Sequence, residues 1–218
     1  MNSPKDPIFR FSDLTLYRPS REEPLFRDLS LEVNIGDRLL LIGPSGSGKT
    51  TLLRLIMGLE QPDAGEKEFW IPARRPSAAG DPPRQLFSVC FQEDRLLPGL
   101  SALDNVNYVL PRAERKRGLA LTTLRRLGLS DVEINQPIDL YSGGMKRRVA
   151  LARALVVPAS LYLLDEPFSG LDPQLRDRTL DLILETAEQN SAALIISGHV
   201  PDLAERLNAR VLNLISTN

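Results

Sequence analysis

Cysteine is almost absent from this chain. Cys90 is the single one, so no internal disulfide can form and a reducing compartment suits the protein. Long apolar runs are missing too. Nothing approaches the about 18 residues needed to cross a bilayer, and Met1-Asn2-Ser3-Pro4-Lys5-Asp6 lacks the apolar stretch of a secretory leader. A soluble, cytoplasmic protein is expected, and any work at a membrane requires another chain to do the spanning. Neither charge dominates. The 27 Lys and Arg stand against 28 Asp and Glu, so bulk charge offers no surface for nucleic acid, and no nucleic-acid partner is expected. Internal repeats and low-complexity tracts are also lacking. What is present, 218 residues at 42% hydrophobic, suffices for one or at most two domains with a sizeable core.

The most informative stretch is Gly43-Pro44-Ser45-Gly46-Ser47-Gly48-Lys49-Thr50, which reads G-x-x-x-x-G-K-[ST]. Arg38-Leu39-Leu40-Leu41-Ile42 before it is a short apolar run, as a buried strand requires, and Thr51 to Met57 after it is apolar at helical spacing. Without a Cβ, Gly46 and Gly48 let the backbone bend and turn its N–H groups onto an anion. The following helix points its positive end at the same place. Lys49 supplies a point charge for terminal phosphates, and the Thr50 hydroxyl is a ligand for Mg²⁺.

Residues 8 to 17 largely alternate apolar and polar, as a half-buried strand does, and Leu25 to Val33 resumes that pattern after a turn. Two strands ahead of the glycine loop are more than a simple βαβ nucleotide fold needs, so an antiparallel piece beside a parallel sheet is expected. A turn is expected at Gln61 to Gly65, a loop over the proline-rich stretch Pro72 to Arg84, and a core strand at Gln85 to Phe91. From Glu93 to Leu155 the spacing is helical, most clearly at Ala120 to Leu127. Strand signals return at Leu161 to Leu164, Ala192 to Ser197 and Val211 to Ile215, with a helix over Pro173 to Gln189. The expected fold is α/β: a P-loop NTPase core of mostly parallel sheet with helices, plus the antiparallel β piece. The expected division is a nucleotide-binding core of residues 1–92 and 156–218 interrupted by a helical subdomain at 93–155.

Leu161-Tyr162-Leu163-Leu164-Asp165-Glu166 is an apolar strand ending in two carboxylates. Beside a phosphate loop, Asp165 would hold the Mg²⁺ of a nucleotide, and Glu166 would orient and polarise an attacking water. A second candidate anion site lies at Tyr141-Ser142-Gly143-Gly144-Met145, where a serine and two glycines head a helical run. An ordinary capped helix explains the same residues, so the segment alone leaves both readings open.

Taken in order, these segments resemble the ATP-binding cassette family over nearly the whole chain. The matching residues are Gly43 to Thr50 (Walker A), Gln92 after a strand (Q-loop) and Ser142-Gly143-Gly144 (signature). Asp165-Glu166 (Walker B), Ser169-Gly170-Leu171-Asp172 (D-loop) and Ser197-Gly198-His199 (H-loop) complete the set. The resemblance implies ATP and Mg²⁺ as ligands and ATP hydrolysis as the activity. It implies nucleotide contacts from Tyr17, Gly43, Pro44, Ser45, Gly46, Ser47, Gly48, Lys49, Thr50, Thr51 and Asp172, with Tyr17 stacking on adenine. It implies metal contacts from Thr50, Asp165 and Gln92, and catalytic work by Glu166, Gln92 and His199, the chain's only histidine. Ser142, Gly143 and Gly144 would act on ATP held by a second copy or a second cassette subunit. Tyr141 and Met145 depart from the family's usual Leu and Gln.

The resemblance further implies a transmembrane permease partner docking near Gln92 to Leu103, where Leu96, Leu97, Pro98 and Leu100 cluster. The protein would then sit at the inner face of the membrane through that permease. Phe91-Gln92-Glu93-Asp94-Arg95-Leu96-Leu97-Pro98 and Ser142-Gly143-Gly144-Met145 look like the importer branch for nitrate, sulfonate and taurine-type solutes, which brings a solute-binding protein into consideration. An exporter, a soluble cassette ATPase and a small-kinase phosphotransferase are the alternatives. The last leaves Ser142-Gly143-Gly144 and His199 without a purpose.

Overall fold

The computed structural model describes residues 6–19, 22–70, 85–115, 118–198 and 202–214. Along the chain come β1 (Pro7–Leu16), β2 (Phe26–Asn34), β3 (Arg38–Ile42), α1 (Lys49–Ile56), β4 (Ala64–Phe69) and β5 (Gln85–Cys90). A run of helices follows: α2 (Ala102–Asn107), α3 (Arg112–Arg115), α4 (Leu119–Arg126), α5 (Asp131–Asn135) and α6 (Gly143–Leu155). The chain then forms β6 (Ala159–Asp165), α7 (Pro173–Gln189), β7 (Ala193–Ser197), α8 (Leu203–Leu207) and β8 (Arg210–Asn213).

Among the described residues the strands form two sheets. One is antiparallel in the order β2-β1-β4; the other is parallel in the order β5-β6-β7-β3-β8. The parallel strands are apolar at consecutive positions because both faces of the sheet are covered. On β6, Leu161 and Leu163 enter one core cluster with Leu39, Leu41 and Ile195, while Tyr162 and Leu164 enter the other with Leu40 and Ile196. The first cluster is closed by the antiparallel sheet and α1, the second by the helices between β5 and β6 and by α7. The parallel sheet is thus held from both sides, and its strand ends are fixed platforms for loops.

One expectation needs correction. The turn expected at Gln61–Gly65 runs instead into a strand, β4, that begins at Ala64. Its sequence Ala-Gly-Glu-Lys-Glu-Phe buries no residue fully. The strand exists because its backbone pairs with β1, from Phe9↔Phe69 to Thr15↔Ala64, and such pairing leaves no trace in side-chain hydrophobicity. The proline-rich stretch Pro72 to Arg84 lies outside the described residues, as do His199 and Ile215.

Candidate functional site

The glycine loop joins β3 to α1, and close packing dictates two of its glycines. Gly48 has φ +100°, and a Cβ there would lie 2.8 Å from the Phe26 ring. Gly43 has φ +151°, and a Cβ would press on the Leu214 carbonyl and come within 2.6 Å of Ser47 Oγ. Any other residue at either position is strained twice, by backbone and by neighbours. The loop presents Pro44, Ser45 and Gly46 at the surface and buries Ser47 and Lys49. Lys49 Nζ donates to the carbonyls of Gly43 (2.8 Å) and Pro44 (3.1 Å), so its charge is already curled inside the loop. Ser47 Oγ is buried and has no hydrogen-bond partner among the described residues. A buried orphan hydroxyl, an inward ammonium and the head of an eight-residue helix in one loop fit an anionic phosphate.

Opposite the loop stands the tip of β6. Asp165, 1% exposed, accepts a hydrogen bond from Thr50 Oγ1 at 2.7 Å through Oδ2. Through Oδ1 it accepts another from Ser197 Oγ at the end of β7. Ser197 Oγ in turn accepts from the backbone N–H of Glu166 at 2.9 Å. One hydrogen-bonded chain therefore runs from the loop helix through Asp165 and Ser197 to Glu166. Glu166 itself has φ +49°, a left-handed conformation that costs a non-glycine residue about 1–2 kcal/mol. The regular strand ends there, and the Glu166 side chain leaves the alternation of β6. Among the described residues no group of three His, Cys, Asp or Glu side chains converges. The oxygens that could hold a divalent cation are the Thr50 hydroxyl and the Asp165 carboxylate, hard donors of the kind that bind Mg²⁺ when substrate phosphates supply the rest.

Ser142 caps α6, its Oγ accepting from Met145 N at 3.3 Å. Nothing lies within 4 Å of a Cβ placed on Gly143, so the head of this 13-residue helix opens outward. A cleft of 310 Å³ is lined by Gln92, Gly143, Gly144, Arg147, Glu166 and Gly170, among others. No residue of 43–51 forms its wall, so the serine-glycine segment does not share a cleft with the phosphate loop of its own chain. Gln92 is exposed; its carbonyl accepts from Arg147 at 3.1 Å. Asp172 caps α7 through Leu175 N at 3.0 Å. Tyr17, just past β1, is 52% exposed, whereas Phe11 is 1% exposed and belongs to the core. Arg18 ties the Tyr17 turn to the loop helix, pairing with Glu60 and donating to Thr51 Oγ1 at 3.3 Å. The two departures in the signature are both accommodated. The Tyr141 hydroxyl donates to the Glu133 carbonyl, and Met145 packs half-buried against the core.

Sequence reasoning gave Ser197 no role beyond its motif and overlooked Arg147. A signal for Arg147 existed: it shares a helical face with Ala150, Leu151 and Ala154, all buried, and a cation on such a face is out of place unless it has partners.

A glycine loop between strand and helix, facing the carboxylate-bearing end of β6 two places along the same parallel sheet, defines a P-loop nucleotide-hydrolysing protein. Comparison with known proteins gives the branch. A model of the ABC transporter family matches residues 26–169. The aliphatic sulfonates import ATP-binding protein SsuB 3 of Rhodococcus jostii is 40% identical over 193 residues, covering 88% of this chain and 66% of that protein. The taurine import ATP-binding protein TauB of Chromobacterium violaceum is 40% identical over 191 residues, covering 84% and 70%. A dimeric post-hydrolysis structure of the ATP-binding cassette MJ0796, bound to ADP and Pi, superposes with a TM-score of 0.79 at 25% identity, covering 97% of each chain. The chain belongs to the ABC transporter family and is an ATP-binding cassette, the part that binds and hydrolyses ATP.

Proposed function

We propose that this cassette powers solute import as one of a pair of ATPase subunits beneath a transmembrane permease. The observation that carries the reading is the hydrogen-bonded chain Thr50–Asp165–Ser197–Glu166, which joins the phosphate loop to the carboxylate pair. The β- and γ-phosphates of ATP lie on the loop N–H groups, and Lys49 turns its ammonium from the Gly43 and Pro44 carbonyls onto them. Thr50, Asp165 and Gln92 would hold Mg²⁺, which would supply charge neutralisation at the terminal phosphates. Glu166 orients the attacking water and takes its proton, and His199 steadies the γ-phosphate. Tyr17 stacks on adenine, with Thr51 beside it. Ser142, Gly143 and Gly144 of one copy close over the nucleotide on the loop of the other, next to Asp172. The outward opening of Gly143 and the separation of its cleft from residues 43–51 support an action in trans. ATP thereby binds the closed pair better than the open one, and hydrolysis releases it.

The import direction rests on relatives named for sulfonate, taurine and thiamine import. Among the described residues no helix is long and apolar enough to cross a membrane. Leu100 (37% exposed) and Tyr108 (66% exposed) offer an apolar surface for a permease beside the segment after Gln92. That attachment places the subunit on the cytoplasmic face of the membrane, with a solute-binding protein on the other side. The test is uptake of labelled taurine, alkanesulfonate and thiamine by cells carrying or lacking the gene. ATP-dependent uptake of a sulfonate that vanishes with the gene and with Lys49→Ala supports the reading; uptake of all three unchanged in both strains contradicts it.

A further inference from the structure

The peptide unit between Asp165 and Glu166 is gripped at both ends. Its N–H, from Glu166, donates to Ser197 Oγ at 2.9 Å. Its C=O, from Asp165, accepts from Nη2 of Arg147, which is 6% exposed. The same guanidinium donates through Nη1 to the carbonyls of Phe91 and Gln92 and lies 3.5 Å from the Asp94 carboxylate. The other side of that segment is held by a second arginine of α6. Arg153 donates to the carbonyls of Asp94 and Arg95, both at 2.8 Å. One helix, headed by Ser142-Gly143-Gly144, therefore clamps residues 91–95 and reaches the tip of β6.

The orientation of the Asp165–Glu166 peptide plane fixes φ of Glu166, and that φ is +49°. A glutamate left to itself relaxes out of the left-handed region, so some contact must hold the plane. Ser197 alone supplies one anchor, about which the plane can swing. The planar guanidinium supplies the second, and it spans two elements at once, which a single ammonium or a carboxamide does not. We infer that Arg147 is a positioning residue for hydrolysis: it locks the Asp165–Glu166 peptide and so aims the Glu166 carboxylate, while tying that aim to the Gln92 segment and to the signature helix. The inference rests on the ATPase reading and on Glu166 as the water-orienting group.

The test is steady-state ATP turnover by the full chain for Arg147→Ala and Arg147→Lys, each alone and combined with Glu166→Gln, with melting temperatures recorded alongside. A misaimed carboxylate predicts a fall in kcat of about 10- to 100-fold with KM for ATP within about twofold of the parent. Because Arg147 acts through Glu166, neither substitution lowers the residual turnover of Glu166→Gln any further. Arg147→Lys keeps a buried cation and shows the same split if Arg147→Ala does not fold. Parental kcat in the Lys variant overturns the inference, as does a rise in KM matching the loss in kcat or an equal loss on the Glu166→Gln background. A parent that does not hydrolyse ATP, or a Glu166→Gln protein that does so at the parental rate, defeats the ATPase reading instead.

Discussion

Removing the Ser197 hydroxyl tests the hydrogen-bonded chain at its middle link. Ser197 is fully buried, donates to the Asp165 carboxylate and accepts from Glu166 N at 2.9 Å. In Ser197→Ala a carboxylate that is 1% exposed loses a donor. A hydrogen bond to a charged group contributes about 1.5–3 kcal/mol. The Glu166 N–H loses its acceptor as well, and an unsatisfied buried donor costs about 1–3 kcal/mol. Some of this is returned because the hydroxyl no longer has to be desolvated, which leaves a net loss of about 3 kcal/mol. For a chain of this length each kcal/mol shifts the melting temperature by about 2–4 °C, so a fall of about 6–12 °C is expected. Turnover falls with it, since the Glu166 peptide loses one of its two anchors. Calorimetry of the purified protein reads the first effect and phosphate release the second. A melting temperature within about 2 °C of the parent, with unchanged turnover, refutes the claim that Ser197 links the Asp165 carboxylate to the Glu166 backbone.

Three further outcomes follow from the same geometry. Gly48→Ala places a Cβ 2.8 Å from the Phe26 ring at φ +100°, so ATP binding, read by fluorescent-nucleotide titration, is lost and the melting temperature drops; parental affinity contradicts this. Thr179→Val should be neutral or stabilising by up to about 1 kcal/mol, because the buried Thr179 hydroxyl has no partner among the described residues; a clear loss in denaturant unfolding contradicts it. Burial pushes the Cys90 thiol up to about 11. A group whose folded value is raised keeps its proton while the unfolded chain loses it, so stability falls as pH rises from about 9 towards 11, by up to about 2 kcal/mol. Cys90→Ala removes that slope, and an unchanged slope in urea midpoints against pH contradicts the assignment.

The parallel sheet was legible because its strands are buried on both faces, which writes continuous apolar runs at β3, β6 and β7. β4 was not legible, because it buries no residue fully and owes its existence to backbone pairing with β1. The glycine loop and the acid pair stood out because their chemistry is local in sequence. The sequence places Asp165 beside the phosphate loop; what it does not carry is the direct hydrogen bond from Thr50, 115 residues away in the chain, which the sheet order closes at 2.7 Å. Arg147 looked like one more base in the run Lys146-Arg147-Arg148, and a helix sequence does not reveal which of three neighbouring cations faces inward until its partners are known. Tyr141 was noted as a departure from the family pattern; the Glu133 carbonyl that receives its hydroxyl, on α5, accounts for it.

The central claim is that one copy's serine-glycine segment completes the nucleotide site of another. The most direct measurement is the solution mass of Glu166→Gln by light scattering, with and without Mg·ATP. The account predicts a doubling of the 24.2 kDa monomer that requires nucleotide and disappears in the Glu166→Gln, Gly143→Asp double substitution. A mass that stays at the monomer value when the nucleotide is bound, or a dimer indifferent to Gly143, contradicts it.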